Sequence, residues 1–231
     1  MSKPKIIISK NGPYIVSGNV PLIKETAALG KDGEPEKWVT TEKYPKQATY
    51  ALCRCGKSKN MPFCDGAHIH AGFDGTETAD IYLYDEEADV IEGPGIILKD
   101  VSSLCSGGRF CHQQGGTWHL AYVSDDSKSR KELIRQACNC PAGRLVAYDK
   151  KTGKPIETKY DPHISVTEDP QARCSGPLWV KGGIEIESHE GVKYEIRNRV
   201  ALCRCGNSNN KPFCDGEHIA VRFNDGDESL K

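Results

Sequence analysis

Apolar residues in this chain come in short runs broken by glycine, proline and charged stretches, which predicts a β-rich α+β chain. Gly12-Pro13-Tyr14-Ile15-Val16-Ser17-Gly18-Asn19-Val20 reads as strand, glycine turn, strand, and Gly176-Pro177-Leu178-Trp179-Val180-Lys181-Gly182-Gly183-Ile184 repeats that pattern near the other end. Further strands are predicted at 48–52 and 193–202. The polar run from Leu29 to Lys37 lengthens the first copy and predicts a surface loop. Between the copies, apolar runs at 81–84, 95–98 and 118–123 predict strands, and 129–138 predicts a helix with Leu133, Ile134 and Ala137 on one side.

Composition narrows the function classes. The 231 residues allow one large domain or two to three small ones, and a hydrophobic content of 37% predicts that burial alone does not hold them, so bound metal adds folding free energy. With 31 basic and 32 acidic residues there is no electrostatic footprint for nucleic acid or for an anionic membrane. No apolar run approaches the roughly 18 residues of a membrane span, and residues 1–8 lack the apolar core of a signal peptide. Eleven cysteines without an export signal then predict metal ligation in a reducing, cytoplasmic setting rather than disulfides.

The cysteines are ordered. Cys53, Cys55, Cys64 and His68 follow the spacing C-x-C-x8-C-x3-H, and Cys203, Cys205, Cys214 and His218 repeat it. Three thiolates and an imidazole can hold zinc, but structural zinc sites favour two to four residues between the first pair of ligands, and here only Arg54 or Arg204 intervenes. A close thiolate pair followed by a distant Cys and His suits a two-iron cluster, with one pair on each iron. Asp65 and Asp215 are placed to cap a short helix carrying each His.

At these residues the chain resembles the CDGSH iron-sulfur domain family, whose motif is C-x-C-x2-[ST]-x3-P-x-C-D-G-x-H. The first copy supplies Ser58, Pro62, Asp65 and Gly66 beside its four ligands, and the second supplies Ser208, Pro212, Asp215 and Gly216. Ala67 and Glu217 replace the family's serine at a position that binds no metal. The resemblance implies one [2Fe-2S] cluster per motif, with the C-x-C pair on the inner iron and the last Cys and His on the outer iron. Single-motif members form intertwined homodimers, so two motifs in one chain are expected to form an internal pseudo-dimer within a monomer rather than an obligate homo-oligomer.

Cys105, Cys111, Cys138, Cys140 and Cys174 remain. Cys105 and Cys111 keep the outer positions of the ferredoxin run C-x2-C-x2-C with Gly108 at the middle one, and Cys140-Pro141 supplies the remote Cys-Pro. This stretch resembles the divergent single-cluster ferredoxin segment found beside CDGSH motifs. Three thiolates suit a [3Fe-4S] cluster; a [4Fe-4S] cluster needs a fourth ligand, for which Cys138 is nearest, ahead of Cys174 and His112. Unligated thiols are the alternative reading. Arg109 and Arg144 flank these cysteines as donors to sulfur or as ordinary surface residues. His70, His119, His163 and His189 lack ligand spacing.

The expected organisation is a first CDGSH unit over 1–75, a small ferredoxin-like α/β segment over 76–172, and a second CDGSH unit over 173–231. No nucleophile and base, phosphate loop or nicotinamide fingerprint is present, so the chain is read as a non-enzyme. The imidazole makes each cluster one unit less negative than a four-thiolate form and easier to reduce. Two functions follow: one-electron transfer with redox partner proteins, or storage and donation of [2Fe-2S] units to apo iron-sulfur acceptors through the weaker His bond.

Overall fold

The computed structural model describes residues 3–231. The first unit contributes β1 (Lys5–Ile8), β2 (Tyr14–Ser17), β3 (Leu22–Leu29), β4 (Pro35–Lys43), β5 (Thr49–Leu52) and the one-turn helix α1 (Ala67–His70). The middle holds α2 (Tyr84–Glu87), β6 (Asp89–Glu92), β7 (Ile96–Asp100), α3 (Thr117–Tyr122), α4 (Ser127–Asn139), β8 (Leu145–Asp149) and β9 (Pro155–Ile156). The second unit adds β10 (His163–Asp169), β11 (Cys174–Lys181), β12 (Glu185–Glu187), β13 (Arg199–Leu202) and α5 (Glu217–Ala220).

The two copies exchange strands. In each, a hairpin leads through a glycine turn into a third strand that pairs with the other copy. β1 pairs antiparallel with β2 and parallel with β12, while β10 pairs antiparallel with β11 and parallel with β3. Registers correspond position by position: Ile6 lies opposite Val16 and Ile186, and Ile164 lies opposite Val180 and Leu22. The sheets β12-β1-β2-β5 and β13-β11-β10-β3-β4 therefore each contain strands of both copies. Ile6, Ile8, Tyr14, Val16, Ile164, Val166, Leu178, Val180 and Leu202 close one core between them. Neither copy can be lifted out without unpairing a strand of the other. Strand β10, which starts at His163, pairs with β3 and β11 and so sits with the duplicated units rather than with the middle segment.

The middle segment has its own sheet, β6-β7-β8-β9, and its own core of Ile96, Leu98, Leu120, Leu133, Ala137 and Leu145. Helix α4 covers the expected 129–138 and extends it by two residues at the front, where Asp126 accepts from the Ser129 backbone N–H, and by one at the back. Strand β7 matches the expected run at 95–98.

Several local expectations are corrected. Residues 118–123 are helical, because Thr117, Leu120 and Ala121 bury one helical face beside α4 rather than alternating. Residues 81–84 form no strand; Ile81 and Tyr82 stay exposed, and the chain turns into α2. The run from Leu29 to Lys37 is not a free loop. It carries the end of β3, a turn closed by the Gly30 N–H donating to Glu34 O and the Gly33 N–H to Gly30 O, and the start of β4. In place of a strand over 193–202, only Arg199–Leu202 pairs continuously. Each one-turn helix is capped by a glycine with positive φ, Gly66 or Gly216, not by the aspartate before it.

Candidate metal centres

Each ligand loop leaves the end of an edge strand, β5 or β13, and returns to it. The Cys53 N–H donates to Pro62 O and the Cys64 N–H to Ala51 O, so the C-x-C pair and the third cysteine face each other across a short bridge between Leu52 and Phe63. The second copy repeats these bonds from Cys203 to Pro212 O and from Cys214 to Ala201 O, with Leu202 bridging Phe213. Ser58 and Ser208 donate to Phe63 O and Phe213 O at 2.6 and 2.7 Å. Asp65 clamps its loop by accepting the Lys59 and Ala67 N–H groups, which hold its carboxyl below the usual range. Asp215 accepts the corresponding N–H groups of Asn209 and Glu217. The aspartates thus fix the ligand loop and tie it to the first N–H of the helix, while the N-cap position itself is the glycine.

The donor atoms sit in pairs. Cys53 Sγ and Cys55 Sγ are 3.8 Å apart and Cys203 Sγ and Cys205 Sγ 3.6 Å, while Cys64 Sγ lies 3.5 Å from His68 Nδ1 and Cys214 Sγ 3.3 Å from His218 Nδ1. Two thiolates on one tetrahedral metal, with bonds of about 2.3 Å, stand about 3.8 Å apart, and a thiolate and an imidazole nitrogen about 3.5 Å. Each pair is therefore spaced to span one metal. No group of three or more His, Cys, Asp or Glu among the described residues converges on a single ion. Two ligands per metal is the arrangement of a two-iron cluster and not of a closed four-ligand zinc site.

The two C-x-C turns meet. A Cβ on Gly56 would stand 2.5 Å from Cys205 O, and one on Gly206 would stand 2.6 Å from Cys55 O. Tyr14 of the first copy donates its hydroxyl to Cys203 O at 2.8 Å, inside the second copy's loop. The spacer arginines point inward and are nearly fully buried, each stacking on a phenylalanine, Arg54 on Phe73 and Arg204 on Phe223. Sequence reasoning gives these arginines no role. Their recurrence between the paired cysteines is the signal that marks them.

The outer ligands differ in cover. His218 and Cys214 are buried, 4% and 2% exposed, whereas His68 and Cys64 are only half-buried. Burial pushes His218 down to about 4, keeping its imidazole neutral as a metal ligand requires. The cover is the middle segment. A Cβ on Gly107 would stand 2.6 Å from Ile219 Cδ1, while Ile69, the corresponding residue of α1, is 72% exposed. Chelator at neutral pH is accordingly expected to take iron from the first site on the order of tenfold faster than from the second. Biphasic iron release should appear, and Ile69→Asp should leave the slow phase unchanged; a single phase would contradict the difference in cover.

In the middle segment, one pocket is lined by Cys105, Gly108, Cys111, Cys140, Pro141 and Arg144. Burial pushes the Cys111 thiol up to about 12, and Cys140 and Cys105 act on it in the same direction, as close thiols do. At Gly108, where a ferredoxin places a cysteine, a Cβ would come within 3.1 Å of Pro141 Cδ, so the position has little room for a side chain. Arg144 lines the pocket, fixed by Asp100 at 2.5 and 2.8 Å, and supplies positive charge beside Cys105. Arg109 also lines the pocket, with its guanidinium paired to Asp169. Cys138 does not line the pocket: its thiol donates to Ile156 O at 3.6 Å. Cys174 is buried at the start of β11 and His112 is exposed, both outside the lining.

Residues 11–69 and 175–219 match the family described as iron-binding zinc finger CDGSH type, and residues 91–150 match a divergent 4Fe-4S mono-cluster family. A 42-residue stretch is 45% identical to the mouse (Mus musculus) CDGSH iron-sulfur domain-containing protein 3, mitochondrial, covering 16% of this chain and 31% of that relative. The chain thus spans about a third of that relative's length. No solved structure matches. With ligand pairs spaced for iron at both matched motifs, the chain is an iron-sulfur protein in which two CDGSH-type regions flank a divergent ferredoxin-like region. No helix among the described residues is long and apolar enough to cross a membrane.

Proposed function

We propose that the chain is a one-electron carrier holding two [2Fe-2S] clusters, on Cys53, Cys55, Cys64, His68 and on Cys203, Cys205, Cys214, His218, and a [3Fe-4S] cluster on Cys105, Cys111 and Cys140. One observation carries this reading: Cys140 of the middle pocket and Cys214 of the second motif pack in the same small apolar group, with Ala142, Ala201 and Leu104. Ligands of two neighbouring sites therefore pack in one apolar group, which favours movement of an electron between them. Bound clusters supply the one-electron chemistry. The protein's own residues would hold each [2Fe-2S] unit by a thiolate pair and a thiolate–imidazole pair, exclude water from the second site, and leave α1 of the first open to a partner protein.

Eleven free cysteines suit a reducing compartment such as the cytoplasm. The expected composition is about seven irons per chain after anaerobic purification, and stopped-flow reduction by a ferredoxin reductase should fill the sites within seconds. Failure with every reductase tried would overturn the carrier reading.

A second reading is favoured by the half-buried His68 and Cys64: donation of a [2Fe-2S] unit from the first site alone. Transfer to an apo-ferredoxin that persists in His218→Cys and stops in His68→Cys would favour it over electron transfer.

A further inference from the structure

The two motifs have the same ligands and are held by nearly the same bonds, so what differs around them is informative. Continuing the matched strands β1 and β10 places Ser9 with Thr167 and Lys10 with Glu168, and the spacing of the two motifs places Gly75 with Asp225. The spacer arginines reach these matched positions. Arg54 donates to Ser9 O at 3.1 Å and to Gly75 O, and its Nε has no partner. Arg204 donates to Thr167 O at 3.0 Å and Gly176 O at 2.7 Å, and also to two carboxylates, Glu168 Oε1 at 2.7 Å and Asp225 Oδ2 at 2.5 Å.

All of these groups are out of water. The side chains of Arg204, Glu168 and Asp225 are 1%, 0% and 7% exposed, and Arg54 is 2% exposed. The first motif thus encloses a guanidinium held only by carbonyls, and the second encloses one neutralised by carboxylates. Exposed charges do not reverse the difference. Asp74 near Arg54 is in solvent and bonded to Thr76, and Lys10, Lys57 and Lys59 add positive charge to the first loop where the second has Glu168, Asn207 and Asn209. Only Lys211, opposite Met61, runs the other way in the ligand loop, and solvent screens such charges.

Reducing a cluster adds one negative charge, which a buried unpaired cation favours and a buried carboxylate opposes. We propose that Glu168 and Asp225, acting through Arg204, hold the second [2Fe-2S] site at a lower reduction potential than the first, where Arg54 stands without a carboxylate. The two carboxylates are positioning residues: they touch the arginine between the ligands, not the metal. Each site takes one electron from whichever donor reduces the chain. The electron therefore rests preferentially on the first site, whose outer ligands are the less covered. This inference rests on the carrier reading for its use but not for its measurement.

The test is an EPR-monitored potentiometric titration of the full, anaerobically purified chain with soluble mediators, at about pH 8. That pH keeps Glu168 ionised, since burial pushes its carboxyl up to about 7 against the pull of Arg204. Two separate one-electron steps are expected from the [2Fe-2S] signals. Glu168→Gln should raise the lower step and leave the upper one in place, so that the gap narrows; Asp225→Asn should do the same and provides the measurement if the first variant does not fold. Coincident steps in the unaltered chain, or a variant that moves the upper step or neither, would overturn the proposal. If no protein donor reduces the chain while mediators still show two steps that respond as described, the carrier reading fails and this one stands. If a donor reduces it rapidly but the steps coincide, the reverse holds.

Discussion

Gly56→Ala is expected to remove iron from both CDGSH-type sites at once, although it alters only the first motif. The glycine has φ of +69° and lies against the backbone of Cys205, a ligand of the other site; a Cβ there would overlap Cys205 O at 2.5 Å and its carbonyl carbon at 2.8 Å. Left-handed backbone costs a non-glycine residue about 1–2 kcal/mol, and forcing an atom into packed backbone adds about 1–3 kcal/mol more. The backbone that must move carries Cys55 on one side and Cys205 on the other. Iron should fall by about four atoms per chain rather than two, taking two irons per [2Fe-2S] cluster. Gly66→Ala is the control: it has φ of +87° beside His68 but nothing within 4 Å of the added Cβ, so only the backbone cost applies and only the first site is at risk. If Gly56→Ala retains the second site's two irons, the turns are not mechanically joined as described.

The same contact explains why the site was more legible in the sequence than the fold. Cys53, Cys55, Cys64 and His68 are local: a single loop brings them together, so their spacing alone reports the ligand pairs that the structure shows at 3.8 and 3.5 Å. Strand exchange is not local. Nothing in the run from Leu22 to Leu29 says that its partner is β10 and not β1, because either pairing buries the same alternate residues, and only the register of the whole assembly decides. The hairpin of β3 and β4 was hidden for a different reason. Its second strand is polar and largely exposed, which gives an edge strand the composition of a loop.

Burial of charge was the least legible feature. Glu168 and Asp225 are ordinary acidic residues in the sequence, and Arg54 and Arg204 read as spacers. The gathering of Glu168, Asp225 and Arg204 into one buried group depends on β10 and on the segment after α5 packing behind the second ligand loop. Residues 118–123 misled in the opposite way: Leu120 and Ala121 are buried as neighbours on a helix, a pattern that six residues cannot distinguish from a buried strand.

The second large effect concerns the middle site, where replacing Cys111 by serine should abolish the central cluster and replacing Cys138 should not. Cys105, Cys111 and Cys140 line one pocket, and Gly108 leaves no fourth ligand in the first run because Pro141 occupies the space. Cys138 lies two residues before Cys140, but those two residues cross the end of α4. There the Arg199 guanidinium binds Ala137 O and Cys140 O and fixes the turn, while the Cys138 thiol is directed to Ile156 O in β9. To reach the pocket the last turn of α4 would have to unwind, with loss of those bonds to a buried arginine. Three thiolates serve three irons one each, so Cys111→Ser, Cys105→Ser and Cys140→Ser should each lose about three irons per chain and the EPR signal of the oxidised three-iron cluster. Cys138→Ser should retain both. A loss of about four irons in Cys138→Ser would instead make that thiol the fourth ligand of a [4Fe-4S] cluster, and would require the end of α4 to be rebuilt when iron binds.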